Sequence, residues 1–478
     1  SSDLEGTLEI DSDYEFSASG LFSTVANVDG SCGQLNIVGT GGLDGTLAVE
    51  REQGVYREGM AYDIITAETL DGSFSEVHLP ESTSLLEFSM EQTSNCVEVS
   101  VAAHTFASVA SSEAERNTGE YLDRIVPEAT GDLSNLLGAF QASSSDKVGT
   151  AFASLSPTSY DSSTITTFDI TSQYSQTLLK RMHSTRSYVE STDTALAYSQ
   201  TERHAVWMDG FGHWAKQDAQ GGLAGYDYDL TGVTIGADRL LQDGLLAGIS
   251  YGQSNADIDM DNDLGQGDIE SYFGSLYGSY FTDRMYFDTT LSYGRQCYEN
   301  VRAVEVGPLA DMAQSDHDGD VYSAYVEAGW NLSLKKWTLQ PFAALRYTFL
   351  DEDSYEESGA EGVNLRVEER KTDALVSDLG LRFAYPFEKG TWLCIPEATI
   401  AWNHDFDLDD RRIVAAFDGS PTTTFVTDGR DIDRDGLVLG AGLTAIRKNN
   451  LSLSVKYTGE LRSHYEAHAL TGGIRCEF

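Results

Sequence analysis

Strict alternation of apolar and polar residues fills the second half of the chain and restricts it to β-strands. In the run 321–332 the even positions carry Tyr, Ala, Val, Ala, Trp and Leu, whereas the odd positions include Ser323, Glu327 and Asn331. A period of two belongs to a strand with one apolar and one polar face. The alternation runs to the last residue, Phe478, so an extended apolar sheet face must be covered.

Twelve such strands are predicted between residues 205 and 478. They begin near Ala205, Tyr226, Leu245, Asp268, Met285, Val321, Trp337, Ala374, Thr391, Leu437, Leu451 and Tyr465. Their connections alternate between tight turns, such as FTDRM and FEKG, and long acidic loops, such as DIDMDNDLGQGD and residues 301–320. Short turns on one rim and long loops on the other are typical of outer-membrane β-barrels. We therefore predict a 12-stranded antiparallel barrel whose last strand pairs with its first.

The composition agrees with an all-β membrane protein. Glycine (45), tyrosine (24) and phenylalanine (20) are plentiful and proline is scarce (8), which suits long strands and tight turns. No stretch is apolar for the roughly 18 residues that a membrane helix needs. A soluble barrel of twelve strands would enclose more space than its side chains can fill, so the apolar face is expected to face lipid and the polar face a wet lumen.

A helix predicted at 172–198 precedes the first strand and carries the most basic cluster of the chain, Lys180, Arg181 and Arg186. We assign 172–204 to a helix that threads the lumen. The strand carboxylates expected to face this helix are those of Asp288, Glu327, Asp378 and Glu460. Opposite charges of this kind make the helix a natural plug.

The remaining residues divide into two regions. Residues 107–171 are predicted to form a linker of short amphipathic helices, punctuated by Pro and Gly. Residues 1–106 repeat a Gly-polar-Leu-x-aliphatic phrase at residues 6, 33 and 45, which predicts successive rungs of a β-solenoid and leaves a β-sandwich as the alternative. Cys32 and Cys96 in this region either pair or remain free thiols.

The formal charge of -45, from 31 basic and 76 acidic residues, excludes a nucleic-acid partner. Asp431, Asp433 and Asp435 form a D-x-D-x-D-G sequence like the start of an EF-hand loop, but position twelve is Gly442 instead of a bidentate Glu. Solvated loop charge and weak Ca²⁺ or Mg²⁺ binding are both open readings, and no other cofactor is expected. Ser250 lies in a G-x-S-x-G sequence, yet in an alternating strand without the strand-to-helix turn that hydrolase chemistry requires.

The chain resembles the autotransporter family of secreted bacterial proteins. The resemblance rests on the closing strand ending in Phe478, the barrel phrase LVLGAGLTAIRKNNLSLSVKYTGEL, the basic helix before the first strand, and GTLAVE with DGSFSEVHLPE near the N-terminus. It implies that Phe478, with Ile474 and Cys476 on the same face, forms a signal for the β-barrel assembly machinery. It also implies periplasmic chaperones as partners and a barrel surrounded by outer-membrane lipid and lipopolysaccharide. Because 172–198 contains no Asn, the family's self-cleavage at an Asn-Asn pair is not expected.

The function expected from these features is that of an outer-membrane translocator. It would not be an enzyme, and it would carry and display its own N-terminal segment outside the cell. The alternatives are a porin-like transport channel with a periplasmic N-terminal domain, or a surface adhesin module anchored by the barrel. A helix long enough to fill the pore favours the translocator over the open channel.

Overall fold

The computed structural model describes residues 3–4, 6–191, 203–241, 244–334, 336–406, 411–447 and 451–478. Along the chain it forms two facing β-sheets, a group of helices and a closed barrel. None of the described helices is long and apolar enough to cross a membrane.

The N-terminal region is a short β-solenoid. Its strands are β1 (Asp3–Leu4), β2 (Thr7–Ile10), β3 (Tyr14–Glu15), β4 (Leu21–Ala26), β5 (Gln34–Leu43), β6 (Thr46–Arg51), β7 (Ala61–Gly72), β8 (Glu76–His78), β9 (Leu86–Gln92) and β10 (Cys96–Ala103). One sheet has the order β1-β4-β6-β8 and the other β2-β5-β7-β10-β9. Pairing is parallel except in the final hairpin, where β10 runs antiparallel to β7 and β9. This hairpin ends the parallel stack.

The repeated phrase predicts one pair of rungs and misplaces the third copy. Leu8 lies opposite Leu35 in a parallel pair, as the spacing of 27 requires. Leu47 instead lies opposite Phe22 in the other sheet, so the spacing of 12 does not mark a rung. The phrase identifies the start of a strand, and its Leu is buried at Leu35 and Leu47 but exposed at Leu8. It does not distinguish between the two sheets.

Cys32 and Cys96 are free thiols in this structure. Both contact Asp63, the Cys32 thiol through the backbone carbonyl at 3.7 Å and the Cys96 thiol through the carboxylate at 3.2 Å. Burial and the Asp63 carboxylate raise the pKa of Cys96 to about 12. The Cys96 thiol therefore stays protonated at neutral pH.

Four α-helices follow. They are α1 (Glu113–Ile125), α2 (Gly131–Gln141), α3 (Val148–Leu155) and α4 (Ser159–Ser191). The three short helices lie within residues 107–171, the predicted linker, whereas the part of that range from Ser159 onward belongs to α4. α1 begins with reciprocal caps, since the Ser112 hydroxyl accepts from the Glu115 amide and the Glu115 carboxylate accepts from the Ser111 amide.

The predicted start of the lumenal helix at 172 is wrong, because α4 begins at Ser159. The additional residues are mostly Ser, Thr and Asp, which carry little helical periodicity. They form a helix because the lumen surrounds them, and the hydroxyls of Thr167 and Thr171 donate to carbonyls four residues earlier. Residues 192–202 of the predicted helix region lie outside the described residues.

Twelve long antiparallel strands close the predicted barrel. They are β11 (Arg203–Gln217), β12 (Tyr226–Leu241), β13 (Leu245–Met260), β14 (Gly265–Phe281), β15 (Met285–Val306), β16 (Leu309–Trp330), β18 (Trp337–Glu352), β21 (Arg370–Ala384), β23 (Trp392–Asp405), β26 (Asp435–Arg447), β27 (Leu451–Arg462) and β28 (Tyr465–Glu477). Short extensions are β17 (Leu332–Leu334) and β22 (Phe387–Lys389), and a small sheet at the loops comprises β19 (Tyr355–Glu356), β20 (Leu365–Val367), β24 (Arg412–Phe417) and β25 (Phe425–Asp428).

The last strand closes the barrel against the first. β28 pairs with β11 along its whole length, from Glu477 opposite Ala205 to Tyr465 opposite Gln217. Large apolar side chains point outward and remain exposed, for example Leu276 and Ile249, each at about 60%. The alternation thus separates an apolar outer face from a polar lumen.

Two predicted loops are continuous strand. Residues 301–320 form the end of β15 and the start of β16, joined at a turn containing Gly307. Residues 257–268 belong to β13 and β14, apart from a single helical turn at Asp261–Asp263. Their aspartates mark only the solvent-facing side of each strand, and the inward side keeps its buried residues, such as Ile258 and Val304.

The helices α1, α2 and α3 pack on the long-loop rim of the barrel. They share one apolar core with the ends of β15 and β16 and with the small sheet of β19, β20, β24 and β25. We call this combined unit the cap, residues 106–155 together with the barrel segments 303–313, 355–367 and 411–428. The solenoid contacts the cap through α2, where the Gln141 side chain exchanges two 2.8 Å hydrogen bonds with the Tyr56 backbone.

Candidate functional site

The lumen of the barrel holds α4, which packs against strands β12 to β16. With 33 residues at about 1.5 Å each, the helix is about 50 Å long. It enters at the cap, where the Asp161 carboxylate accepts from Arg411 at 2.8 Å. Its other half approaches the short-turn rim, because Arg186 contacts Asp288 three residues after the turn at Met285.

The three predicted basic residues of the helix each bind a strand carboxylate. Lys180 donates to Asp209 at 2.8 Å. Arg181 makes a two-pronged contact with Asp238 at 2.7 and 2.6 Å. All four side chains are buried, so these contacts are charge-assisted bonds shielded from water.

Arg186 forms the third pair and joins a larger cluster. It donates to both oxygens of Asp288 at 2.6 Å, and its guanidinium lies 3.7 Å from the centre of the Tyr286 ring. His183, one turn earlier, lies 3.1 Å from Glu327 and 3.5 Å from Asp288. The helix therefore connects β15 and β16 through two carboxylates.

The wall of the barrel completes the Glu327 environment. Hydroxyls of Tyr286 and Tyr325 donate to its two oxygens at 2.7 and 2.8 Å, and Arg382 lies 3.3 Å away on the far side. Among the described residues, the side chains of His183, Asp288 and Glu327 have ligand atoms within 4.8 Å of one another. Arg186 and Arg382 already balance both carboxylates, so a divalent cation would add uncompensated positive charge. The cluster suits anchoring better than metal binding.

The middle of α4 packs closely against the barrel wall. Tyr174 stacks on Phe273 with ring centres 4.5 Å apart, and its hydroxyl lies 2.8 Å from that of Ser250. A Cβ at Gly252 would lie 2.4 Å from the Tyr174 ring. The G-x-S-x-G sequence therefore provides a seat for Tyr174, which explains its small residues without catalysis.

The opposite side of the lumen remains open. A cavity of about 90 Å³ lies between α4 and the wall, and most of its lining residues come from β18 to β28. Asp378 and Glu460 line it as predicted, and each has a wall partner, Asn403 at 2.8 Å and Arg462 at 2.7 Å. Neither binds a basic residue among the described side chains of α4, whereas Asp288 and Glu327 do contact the plug.

The predicted assembly residues lie at the closing seam. Ile474, Cys476 and Phe478 share the exposed outer face of β28, and Phe478 is 72% exposed. The Phe478 backbone exchanges hydrogen bonds of 2.9 and 3.1 Å with His204. The seam thus presents its apolar side outward beside the first strand.

The structure does not bring Asp431, Asp433 and Asp435 together as a metal site in the described part of the chain. Asp435 is the first residue of β26, and its carboxylate accepts from Trp402 at 2.9 Å and His404 at 2.8 Å. The Asp433 backbone carbonyl accepts from Arg462. Strand pairing holds Asp435 in the extended backbone of β26. In an EF-hand loop the chain would instead fold back so that its carboxylates converge on one ion.

Sequence reasoning missed Asp209 and Asp238, which bind Lys180 and Arg181. The signal in the sequence is their place in the apolar–polar alternation, since Asp209 occupies an inward position in β11 and Asp238 occupies an inward position in β12. Acidic residues on an inward face beside a basic helix are candidates for pairing. The alternation alone does not give the height of each carboxylate along the helix.

Comparisons with known proteins agree with this architecture. Residues 206–458 match the family described as the autotransporter beta-domain. An extracellular serine protease of Serratia marcescens is 24% identical over 281 residues, covering 58% of this chain and 26% of the relative. Outer membrane protein A of Rickettsia conorii is 25% identical over 291 residues, covering 58% and 14%. The chain therefore spans only a minor part of the length of these relatives.

Two solved structures are similar to part of this chain. The translocator domain of the autotransporter NalP from Neisseria meningitidis matches with a TM-score of 0.49 at 17% identity, covering 65% of this chain and 98% of that one. The beta domain of the Bordetella autotransporter BrkA matches with a TM-score of 0.45 at 21% identity, covering 57% and 99%. Since the family match of residues 206–458 covers more than half of the chain and lies within the barrel, the protein belongs to the autotransporter family.

Proposed function

We propose that the protein is a translocator of the bacterial outer membrane that carries its own N-terminal region across and displays it at the cell surface. The observation that supports this most directly is the direction of α4. The chain runs from the cap at the long-loop rim, through the lumen, to the short-turn rim where β11 begins. Short turns face the periplasm in barrels of this kind, so residues before α4 would lie outside.

Contacts of the solenoid support the same orientation. Its hydrogen bonds to the helical region reach the residues just after α1 and α2 itself. The Arg57 guanidinium donates to the Pro127 carbonyl at 3.2 Å, and the Val55 amide donates to the Ser134 hydroxyl at 3.2 Å. Gly138 of α2 approaches Gly54 so closely that a Cβ there would overlap the Gly54 carbonyl. The solenoid is thereby connected to the long-loop rim, and a periplasmic N-terminal domain would have to be on the other rim.

The proposal treats the barrel surface as a binding face for lipid and for the assembly machinery. The outward Leu, Ile and aromatic side chains would contact the hydrocarbon core, with lipopolysaccharide around the long-loop rim. Ile474, Cys476 and Phe478 present an exposed apolar strand end, which the assembly machinery would recognise after delivery by periplasmic chaperones. We assign no catalytic role to the chain, because its one hydrolase-like serine seats Tyr174.

A pair of epitope tags on intact cells tests the orientation. One tag is inserted at the exposed solenoid residues Glu81 and Ser82, and the matched tag is inserted at Asp283 in a short turn between β14 and β15. We expect antibody binding and protease cleavage at the solenoid tag in intact cells, and at the Asp283 tag only after the outer membrane is opened. The reverse accessibility would refute display and favour the channel with a periplasmic domain.

A further inference from the structure

We propose that one part of the outer barrel face, at the short-turn rim, binds the headgroup of an anionic phospholipid. The site consists of Lys389, Trp392 and Arg447, and we call it the headgroup site. This inference rests on the proposed contact of the barrel with a lipid bilayer. It does not depend on which side of the membrane the solenoid occupies.

Strand register brings the three side chains together. Lys389 of β22 lies opposite Trp392 of β23, and Trp392 lies opposite Arg447 of β26. Residues directly opposite one another in an antiparallel pair share one face of the sheet, with Cβ atoms about 5 Å apart. The Arg447 guanidinium lies 5.9 Å from the centre of the Trp392 ring, within reach of a cation–π contact. The indole therefore has a cation on each side.

The alternation of the strands places this row on the outer face. Trp402 in β23 is exposed and even-numbered like Trp392. Leu443 in β26 is exposed and odd-numbered like Arg447. Because side chains two positions apart in a strand point the same way, Trp392 and Arg447 face outward with them. Lys389 and Arg447 are themselves exposed.

The headgroup site lies at the edge of the hydrocarbon layer. Trp392 and Trp402 are ten positions apart along β23, and a membrane-spanning strand takes about 9–11 residues. Tryptophan rings concentrate at the two membrane–water interfaces. On the neighbouring strands, Trp337 and Tyr385 pack with ring centres 4.8 Å apart at the same rim. The two cations therefore lie at the height of lipid headgroups.

The charge of the row favours a headgroup of net negative charge. Among the described residues, neither Lys389 nor Arg447 forms an ion pair. Glu388 lies opposite Leu393, which places it on the other face of the hairpin. A zwitterionic headgroup brings its own ammonium group and neutralises the two cations less well than an anionic one. Basic residues at a membrane surface attract anionic lipids for this reason.

The other end of the outer face has the opposite charge. Directly opposed, exposed residues form an acidic row across β12 to β16, namely Asp229, Asp257, Asp268, Glu299 and Asp316. This row repels an anionic headgroup. The difference between the two ends confines the headgroup site to the leaflet beside the short turns.

Fluorescence quenching of the full chain in nanodiscs tests the site. The bilayer contains phosphatidylglycerol and phosphatidylethanolamine, and one of the two lipids carries brominated acyl chains, which quench a neighbouring indole. The signal of Trp392 is the difference between the parent and Trp392→Phe. Each surface cation contributes roughly fivefold to the binding of an anionic lipid. We therefore expect brominated phosphatidylglycerol to reach half-maximal quenching at a mole fraction lower by a factor of roughly five or more.

Charge removal assigns this preference to the two cations. Lys389→Gln and Arg447→Gln, each measured against its own Trp392→Phe background, should reduce the preference by roughly fivefold. High salt should reduce it as well. Lys371→Gln is the matched control, because it removes an exposed cation at the long-loop end, near Asp351 and Glu369. It should leave the preference unchanged.

The outcomes separate this site from the membrane contact on which it rests. Equal quenching by the two lipids in the parent, or a preference that survives when Lys389 and Arg447 are both replaced by Gln, would overturn the headgroup site. Heat-modifiable migration verifies that each variant is folded. A folded barrel that fails to enter nanodiscs of either composition would refute the membrane contact itself, and the headgroup site with it.

Discussion

The two ends of α4 are held by different kinds of contact. Towards the short turns, Lys180, Arg181 and Arg186 bind buried carboxylates of the barrel wall. Towards the long loops, one buried pair, Asp161 with Arg411, holds the start of the helix, and the chain before it packs into an apolar core shared by α1 to α3 and the loops. A buried ion pair loses much of its energy when one partner is removed, whereas an apolar core loses energy in proportion to the contacts deleted.

This difference suggests a division of roles. The ion pairs fix the position of the helix along the barrel axis, because each cation must meet its own carboxylate in a site that excludes water. The apolar core provides adhesion and tolerates small changes of shape. The lumen therefore sets the position of the plug, and the apolar core holds the N-terminal region at the long-loop rim.

Removing one charge from the lumen should have the largest effect. Arg186→Met leaves Asp288 buried without its guanidinium, which we expect to lower the free energy of unfolding by about 3–5 kcal/mol. Urea titration followed by the heat-modifiable migration of the barrel measures the change. The double variant Arg186→Met with Asp288→Leu should recover most of the loss, and a single variant as stable as the parent would contradict the assignment.

A cavity created in the cap should destabilise the cap and leave the barrel unaffected. Leu137→Ala removes a fully buried side chain, and we expect a loss of about 2–5 kcal/mol. Hydrogen exchange should show it in α1 and α2, with the barrel strands unaffected. Asn135→Ala, exposed on the same helix, is the control. Equal loss of protection throughout the barrel would show that the two ends are not separable.

A close approach at the closing seam tests the Lys180 pair without removing a charge. A Cβ at Gly473 would lie 1.5 Å from the Asp209 carboxylate and 3.1 Å from the Lys180 nitrogen. Gly473→Ala should therefore displace the pair and cost about 1–3 kcal/mol in urea titration. Gly472→Ala is the matched control, since its nearest contact is at 4.0 Å on the outer face. Equal stability of the two variants would argue against the pair as an anchor.

Removing an exposed ion pair should have the smallest effect on the free energy of unfolding. Arg295 contacts Asp318 at 2.7 Å and Asp320 at 3.1 Å on the outer face, where all three are at least a third exposed. We expect Arg295→Ala to cost less than about 1 kcal/mol, and the difference to vanish in high salt. A loss as large as that of Arg186→Met would remove the distinction between buried and exposed pairs.

The barrel could be predicted because alternation is a local property of the chain. Each strand shows its period over a few residues, so the twelve strands, the closing pair and the outward face of Ile474 and Phe478 follow without tertiary contacts. The acidic strand ends at 257–268 and 301–320 could not, because Asp in a solvent-facing position resembles Asp in a loop. The start of α4 was missed for a related reason, since a helix surrounded by a polar lumen has no single apolar face.

Local sequence patterns are enough to predict the alternating strands, the short turns and the basic cluster at Lys180, Arg181 and Arg186, because these depend on residues near one another along the chain. The pairing of those charges with Asp209, Asp238 and Asp288, and the place of the third solenoid phrase in the other sheet, depend on the folded arrangement. Strand register and the height of the helix set these pairings. They bring together residues distant in sequence through packing of the whole barrel, which no local pattern encodes.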